Sequence, residues 1–143
     1  MFELLLLLAR HYHVVLAYAG TYALREYVKP LENHGITVMY PGYAKAVHNP
    51  DLDLAAVLLN NDFPFVFFEL FSMAEQYQGL VRTHSPDSVL IVDTYDVHFL
   101  RELREAAISK DPILERKARD TRRREMSVYS SADLLVTVTE DDK

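Results

Sequence analysis

The 143-residue sequence contains no cysteine, which excludes disulfide bonds, thiolate nucleophiles and cysteine-ligated metal sites. It also lacks a surplus of basic residues, because 21 acidic side chains outnumber 15 lysines and arginines and give a net charge of -6 at pH 7. Nucleic-acid binding requires a basic footprint, so we expect no nucleic-acid partner. The absence of cysteine fits a reducing compartment, and we predict a cytoplasmic protein.

No hydrophobic run reaches the roughly 20 residues that a transmembrane helix requires. The leucines at residues 4–8 resemble the apolar part of a secretory signal, but Glu3 stands where a basic region belongs, and Arg10 follows without a cleavage site. We therefore interpret this run as a buried helix. The basic residues within 116–124 alternate with the acidic Glu115, Asp120 and Glu125, which is typical of a solvated helix face.

Short catalytic and nucleotide-binding motifs are absent as well. The sequence contains no GxGxxG, GxxxxGK[ST], GxSxG or HExxH motif, which characterise dinucleotide-binding, P-loop, α/β-hydrolase and zincin sites respectively. It also has no internal repeat or low-complexity tract. Functional residues must therefore be sought where the predicted fold gathers polar side chains.

Helical and strand-like patterns alternate along the chain. Apolar residues spaced by three and four predict helices, and short β-branched runs predict strands between them. This alternation predicts βαβ units and a parallel sheet. We predict one domain spanning residues 1–143, of the α/β class, with a Rossmann-like three-layer α/β/α architecture and a mainly parallel sheet. The predicted helices cover residues 2–12, 21–33, 51–59, 72–84, 99–108 and 111–131, and the strands cover 13–19, 36–40, 65–70, 89–92 and 134–138.

Local signals mark several element boundaries. Asp111, which precedes a proline, predicts a helix N-cap, and Ser72 with Glu75 predicts a capping box. Gly35 predicts the end of a helix, and residues 43–50 are predicted to be irregular. The side chains predicted to face the core include Tyr27, Leu59, Ala107 and Met126.

A polar cluster follows the apolar strand predicted at residues 89–92. Asp93, Asp96 and His98 lie where this strand ends and a helical pattern begins. In open α/β sheets, ligands bind in the crevice outside the carboxyl ends of the strands, so this is the first candidate site. Carboxylates beside an imidazole can orient it, accept hydrogen bonds from sugar hydroxyls or bind a metal.

The same cluster also has a purely structural interpretation. Asp96 is placed to cap the helix that begins near His98, and Arg101 is placed to pair with Glu105 four residues later. On spacing alone, this interpretation and a functional site are about equally favoured.

The last third of the chain resembles the N-terminal domain of bacterial retaining glycosyltransferases with the two-Rossmann GT-B architecture, especially the family 4-like group. The resemblance rests on DTxDxHFLRE at residues 93–102, on Arg124-Glu125 in the following charged helix, and on Ser131-Ala132-Asp133 before the last strand. No single part of this pattern is diagnostic of the family.

The resemblance implies a division of labour between two domains. The N-terminal domain of such enzymes binds the sugar acceptor, and the C-terminal domain binds the nucleotide-sugar donor. Many relatives carry a histidine after the corresponding strand that touches the transferred sugar, and here Asp96 occupies its register while His98 follows two residues later. The resemblance thus implies Asp96 or His98 as catalytic and the remaining candidates as substrate-binding, namely Asp93, Arg101, Thr139 and Glu140. We predict neither a cofactor nor a metal.

The sequence also departs from the family pattern. We expect it to begin at the helix after the family's first strand and to lack the donor domain with its E-x7-E-type motif. The chain alone is therefore expected to be inactive, because nothing would stabilise the leaving diphosphate. A missing central strand further predicts self-association. Peripheral membrane association is expected for the complete enzyme.

Two other functional classes remain open at this stage. One is a stand-alone flavodoxin- or receiver-like binding module in which Asp93 and Asp96 hold Mg²⁺. Receivers usually carry their acidic pair after the first strand, whereas these acids follow a late strand. The other is a structural or interaction domain in which the acids serve only as caps.

Overall fold

The computed structural model describes residues 2–18, 25–39, 42–43, 46–48, 54–94 and 96–137. The fold is mixed α/β, as predicted, and its helices are joined by short, mainly parallel strands. None of the helices in these ranges is long and apolar enough to cross a membrane. The chain divides into two compact units, Met1–Leu54 and Ala55–Lys143, which are described separately.

The first unit pairs two short parallel strands with two helices. Its core consists of Leu5, Leu31 and Ile36, against which Leu16 and Val38 of the strands pack. Leu5 is the one buried residue of the first helix, whereas Phe2 and Leu7 are exposed. The interpretation of the leucine run as a buried helix is therefore only partly confirmed. The elements are α1 (Phe2–Ala9), β1 (Val15–Ala17), α2 (Arg25–Asn33), β2 (Thr37–Met39) and the antiparallel pair β3 (Gly42–Tyr43) and β4 (Ala46–His48).

Helix α2 ends where Gly35 was predicted to stop it. Gly35 has a φ of 78°, in the left-handed region that favours glycine. Its N–H donates to the Glu32 carbonyl, and the Ile36 N–H donates to the Leu31 carbonyl, which is the hydrogen-bond pattern of a Schellman motif. Pro30 lies inside α2, and the helix continues beyond it.

The second unit is built on a three-stranded parallel sheet. The strand order is β5-β6-β7, so β6 is central. The run of apolar residues in β6 predicts burial on both faces, but only the face of Leu90 and Val92 is fully buried, whereas Val89 on the other face is exposed. Burying the side chains of Leu90 and Val92 contributes about 1.5–3 kcal/mol each. This unit contains all but the first residue of α3 (Leu54–Leu59), followed by β5 (Phe65–Phe68), α4 (Phe71–His84), β6 (Val89–Asp93), α5 (His98–Ser109), α6 (Pro112–Ser131) and β7 (Leu134–Val136).

Several local predictions were wrong. Residues 43–50 include strand β4 and the end of β3, so they are not irregular throughout. Helix α4 has no side-chain cap, because its N-cap residue is Leu70, and Glu75 instead pairs with Arg124. The side chains predicted to face the core but exposed in the structure are Tyr27, Leu59, Ala107 and Met126.

The inner face of α6 was predicted wrongly because half of its buried residues are polar. The buried residues of α6 are Ala118, Thr121, Glu125 and Val128, spaced by three and four. Two of them are polar. Apolar periodicity alone therefore predicted the wrong inner face, one that includes Met126. The predicted start of the helix is confirmed, because the Asp111 carboxylate accepts a 2.8 Å hydrogen bond from the Ile113 N–H.

Asp133 fixes the position of β7 beside β6. Its carboxylate accepts a 2.7 Å hydrogen bond from the Leu90 N–H and lies 2.9 Å from the Arg82 guanidinium. Its own N–H donates to the Leu90 carbonyl. The hydrogen bond from Arg82, and then that from the Leu90 amide, lower the pKa of Asp133. The ionised side chain therefore stabilises the pairing of the two strands.

We predict that Asp133→Asn lowers the urea midpoint of unfolding at pH 7, and that the difference from the wild type shrinks in acid. Because the pKa is lower in the folded state, the stabilisation is present above the ordinary value of 3.8 and is lost as the pH falls through the folded-state pKa. Urea titrations followed by circular dichroism at pH 7 and pH 3 test this. The exposed Asp87→Asn serves as the control, and an unchanged difference at the two pH values would contradict the prediction.

Candidate functional site

The candidate site lies at the carboxyl end of β6, where the chain passes into α5. Asp93 is the last residue of the strand, and His98 is the first residue of the helix. Thr94 is buried and ties this end to the neighbouring strand, because its N–H and hydroxyl both donate to the Val136 carbonyl, at 2.8 and 3.0 Å. The polar cluster thus starts from a fixed sheet edge.

Asp93 carries an unsatisfied acceptor. Its Oδ1 atom is buried and has no hydrogen-bond partner among the residues that the structure describes. Leaving a buried acceptor unpaired costs on the order of 1–3 kcal/mol, and such groups are rare in native proteins. The described residues therefore leave one acceptor of the Asp93 carboxylate without a donor.

Asp96 is paired with Arg101. The Arg101 guanidinium donates to Asp96 Oδ2, the same oxygen that lies 3.7 Å from Nε2 of His98. The predicted pairing of Arg101 with Glu105 is wrong, because the guanidinium binds the carboxylate of Asp96 instead. The predicted capping role of Asp96 is wrong too, since Val97 is the N-cap residue of α5 and no side chain of its own segment caps the helix.

His98 is held on three sides. Its Nδ1 lies 2.9 Å from the Asp96 carbonyl oxygen and 3.2 Å from Oε1 of Glu125. The ring meets the Phe71 ring edge to face, with centroids 5.0 Å apart and planes at 71°. A quarter of the side chain (25%) remains exposed, so the imidazole is oriented but not sealed from solvent.

Glu125, on α6, is the residue that organises this site. It is fully buried (0% exposed), and its two carboxylate oxygens accept 2.9 Å hydrogen bonds from the N–H groups of His98 and Phe99. Tyr129 also donates its hydroxyl to Oε1, at 3.4 Å. The first turn of α5 is thus capped by a side chain from another helix.

The sequence placed Glu125 on a solvated helix face and within a family resemblance, and it did not predict the role of this residue. The solvated-face prediction is wrong for Glu125, which is fully buried. The available signal was its spacing, since Ala118, Thr121, Glu125 and Val128 form one buried stripe. A charged residue on such a stripe requires several hydrogen bonds, which makes it a site candidate.

The preceding residue, Arg124, connects α6 to α4. Its Nε donates to Glu75 at 2.7 Å, a second hydrogen bond joins Nη2 to the other carboxylate oxygen, and the guanidinium lies 5.8 Å from the Phe71 ring centroid. Hydrogen bonding by Arg124 lowers the pKa of Glu75, against a smaller effect of burial. Arg124 therefore supports the aromatic ring that packs against His98.

These contacts decide which chemistry the site can perform. Among the described residues, no three histidine or acidic side chains gather as a metal ion would require. Asp96 lies next to both Arg101 and His98, whereas Oδ1 of Asp93 is hydrogen-bonded to none of the described residues and is a separate acceptor. The described part of the site therefore favours ligands that donate hydrogen bonds. The other two candidates, Thr139 and Glu140, lie outside the described residues.

A groove of about 420 Å³ lies elsewhere in the second unit, lined by residues 58–64 and 84–88. It borders the amino ends of β5 and β6, opposite the candidate site. Its serines are satisfied internally, because Ser88 donates to the Phe63 carbonyl at 2.6 Å and lies 2.7 Å from the Ser85 hydroxyl. We assign no function to this groove.

Comparison with known proteins gives no match: no protein family, no curated protein and no solved structure is similar to this chain. Functional inference therefore rests on the residues and contacts described above.

We predict that Glu125→Ala lowers the free energy of unfolding by about 2–4 kcal/mol, because two helix N–H groups lose their acceptor in a buried place. The control is Glu115→Ala, which removes an exposed ion pair with Arg119 on the same helix and should cost less than about 1 kcal/mol. Urea unfolding of both variants checks this. Equal losses would show that the buried carboxylate has no special role.

Proposed function

We propose that this chain is the acceptor-side domain of a GT-B glycosyltransferase of the family 4-like group, with a Rossmann-like three-layer architecture and a cytoplasmic location. The complete enzyme transfers a sugar from a nucleotide-sugar donor to a glycan or lipid-linked acceptor. The observation that carries the proposal is Oδ1 of Asp93 at the carboxyl end of the central strand, a buried acceptor that has no hydrogen-bond partner among the described residues.

Sugar hydroxyls suit the acceptors at this edge. Within the described part of the chain, Asp93 offers a carboxylate oxygen without a donor, and His98 offers Nε2, which lies 3.7 Å from Oδ2 of Asp96. A hydroxyl donates to either atom and can accept a further hydrogen bond in return. A polyhydroxylated acceptor therefore supplies what these two groups lack.

The same edge is poorly suited to phosphate. Helix N-termini attract anions through their free N–H groups, but those of His98 and Phe99 already bind Glu125. The nearby guanidinium of Arg101 is neutralised by Asp96. This supports a site for the sugar acceptor and leaves the donor diphosphate to the domain that the resemblance assigns to it.

The proposal assigns distinct roles to the residues. Asp93 binds an acceptor hydroxyl, and His98 is the catalytic residue that contacts the reacting sugar. Asp96 is less suited to that part because Arg101 occupies its carboxylate, so this pair orients the loop instead. Thr139 and Glu140 remain proposed contacts near the interdomain cleft. Because donor-binding residues are needed for transfer, we expect this chain to bind acceptors without transferring sugar.

The Mg²⁺-binding module is less well supported. A divalent cation prefers several free oxygen ligands, whereas Asp96 is committed to Arg101 and Asp93 brings no third acidic or imidazole partner within the described residues. Self-association and peripheral membrane association of the complete enzyme also remain proposals.

We predict that methyl glycosides of glucose, mannose or N-acetylglucosamine, at millimolar concentration, shift the backbone amide signals of Asp93, His98 and Arg101 in a saturable way. Asp93→Asn should weaken the binding about tenfold, the equivalent of one hydrogen bond to a charged acceptor. Asp87→Asn, before the other end of β6, should leave it unchanged. Two-dimensional nitrogen–proton NMR of the labelled full chain measures both effects.

Two further titrations separate the alternatives. Shifts at Asp93 and Asp96 with Mg²⁺ but not with glycosides would favour the binding module. Shifts with uridine diphosphate at the start of α5 would contradict the assignment of this edge to the acceptor. A glycoside response that is identical in the Asp93→Asn and Asp87→Asn variants would also overturn the proposal.

A further inference from the structure

The Nδ1 atom of His98 faces two oxygen atoms that can only accept hydrogen bonds. One is the backbone carbonyl of Asp96 at 2.9 Å, and the other is Oε1 of Glu125 at 3.2 Å. Both carboxylate oxygens of Glu125 accept backbone N–H groups of α5, so neither presents a proton to the ring. The ring proton of a neutral His98 must therefore reside on Nδ1.

The opposite ring nitrogen has a different environment. Nε2 lies 3.7 Å from Oδ2 of Asp96, which is beyond hydrogen-bonding distance, and that oxygen is already bound by Arg101. Among the described residues, no group donates a hydrogen bond to Nε2. With the proton on Nδ1, Nε2 carries a lone pair that is free to accept one.

We propose that Glu125 is a positioning residue that holds His98 as the Nδ1–H tautomer and thereby makes Nε2 a hydrogen-bond acceptor for a ligand hydroxyl. The tautomer follows from the contacts of this chain alone, whereas the identity of the hydroxyl as that of a sugar rests on the proposed function.

A single oxygen atom connects the backbone and the ring of His98. Oε1 of Glu125 accepts the His98 N–H and also contacts Nδ1, so one carboxylate fixes both the start of α5 and the rotation of the imidazole. Phe71 blocks one side of the ring through its edge-to-face contact. A residue that served only as a helix cap would not select between the two ring nitrogens.

The role resembles that of an outer-shell carboxylate in a metal or catalytic site. Such a carboxylate orients a histidine through the nitrogen that does not face the ligand, and its loss typically weakens function by 10- to 100-fold. Here Glu125 is fully buried, and it belongs to a helix that supplies none of the predicted site residues. Its contribution is therefore made through His98.

The test is the tautomeric state of His98, read from the ring nitrogen chemical shifts of the labelled full chain without ligand, at a pH where the ring is neutral. We expect Nδ1 to carry the proton in the wild type. Glu125→Gln preserves size but presents an amide group, and it should allow the Nε2–H tautomer to appear. The matched control, Glu115→Gln on the same helix, should leave the ring signals unchanged.

The outcomes are distinct. A wild-type ring protonated mainly on Nε2 would overturn the inference whether or not the Glu125→Gln protein folds. A folded Glu125→Gln variant with the wild-type tautomer would also overturn the positioning role.

A glycoside titration separates this inference from the proposed function. Binding is expected to shift the Nε2 signal of the wild type and to weaken about tenfold in Glu125→Gln. If the tautomer is as expected but no glycoside moves Nε2, the assignment of a sugar hydroxyl fails, and the positioning role of Glu125 stands.

Discussion

A single buried carboxylate determines the geometry at the carboxyl end of β6 in the second unit. An ionised group that is fully removed from water is tolerated only when hydrogen bonds surround it. Glu125 meets this condition with two helix N–H groups, the hydroxyl of Tyr129 and the ring of His98. Because two of its donors are the first N–H groups of α5, satisfying this one carboxylate also sets where α5 begins and how its first side chain points.

The neighbouring contacts reinforce that arrangement from the other side. Arg124 binds Glu75 of α4 and lies over Phe71, whose ring packs on the imidazole of His98. Two consecutive residues of α6 therefore bind two different helices: Arg124 binds α4, whose Phe71 packs on the histidine, and Glu125 binds the start of α5, which carries the histidine. In the sheet, hydrogen bonds of Thr94 and Asp133 join β6 to β7 and fix the position of one strand against the other.

Much of this architecture was predictable from the sequence. Apolar periodicity located the helices and the parallel strands of the described residues but missed the antiparallel pair β3 and β4. Proline after Asp111 and glycine at position 35 marked true helix boundaries. The partners of polar side chains were not predictable in this way. Arg101 binds Asp96, which precedes α5 and is not helical. Helical spacing within α5 therefore could not predict this pair. Glu125 was missed because hydrophobic patterning ignores charged residues on a buried face.

The cap of α5 also implies an order of assembly. Glu125 is 27 residues further along the chain than the first amide it binds. During synthesis, the strand, the loop and the whole of α5 are made before the residue that fixes their geometry. Until α6 docks, the histidine lacks its contact with Glu125, and its helix has two open N–H groups. The geometry at the start of α5 is thus coupled to completion of the helical hairpin, and the strand alone does not produce it.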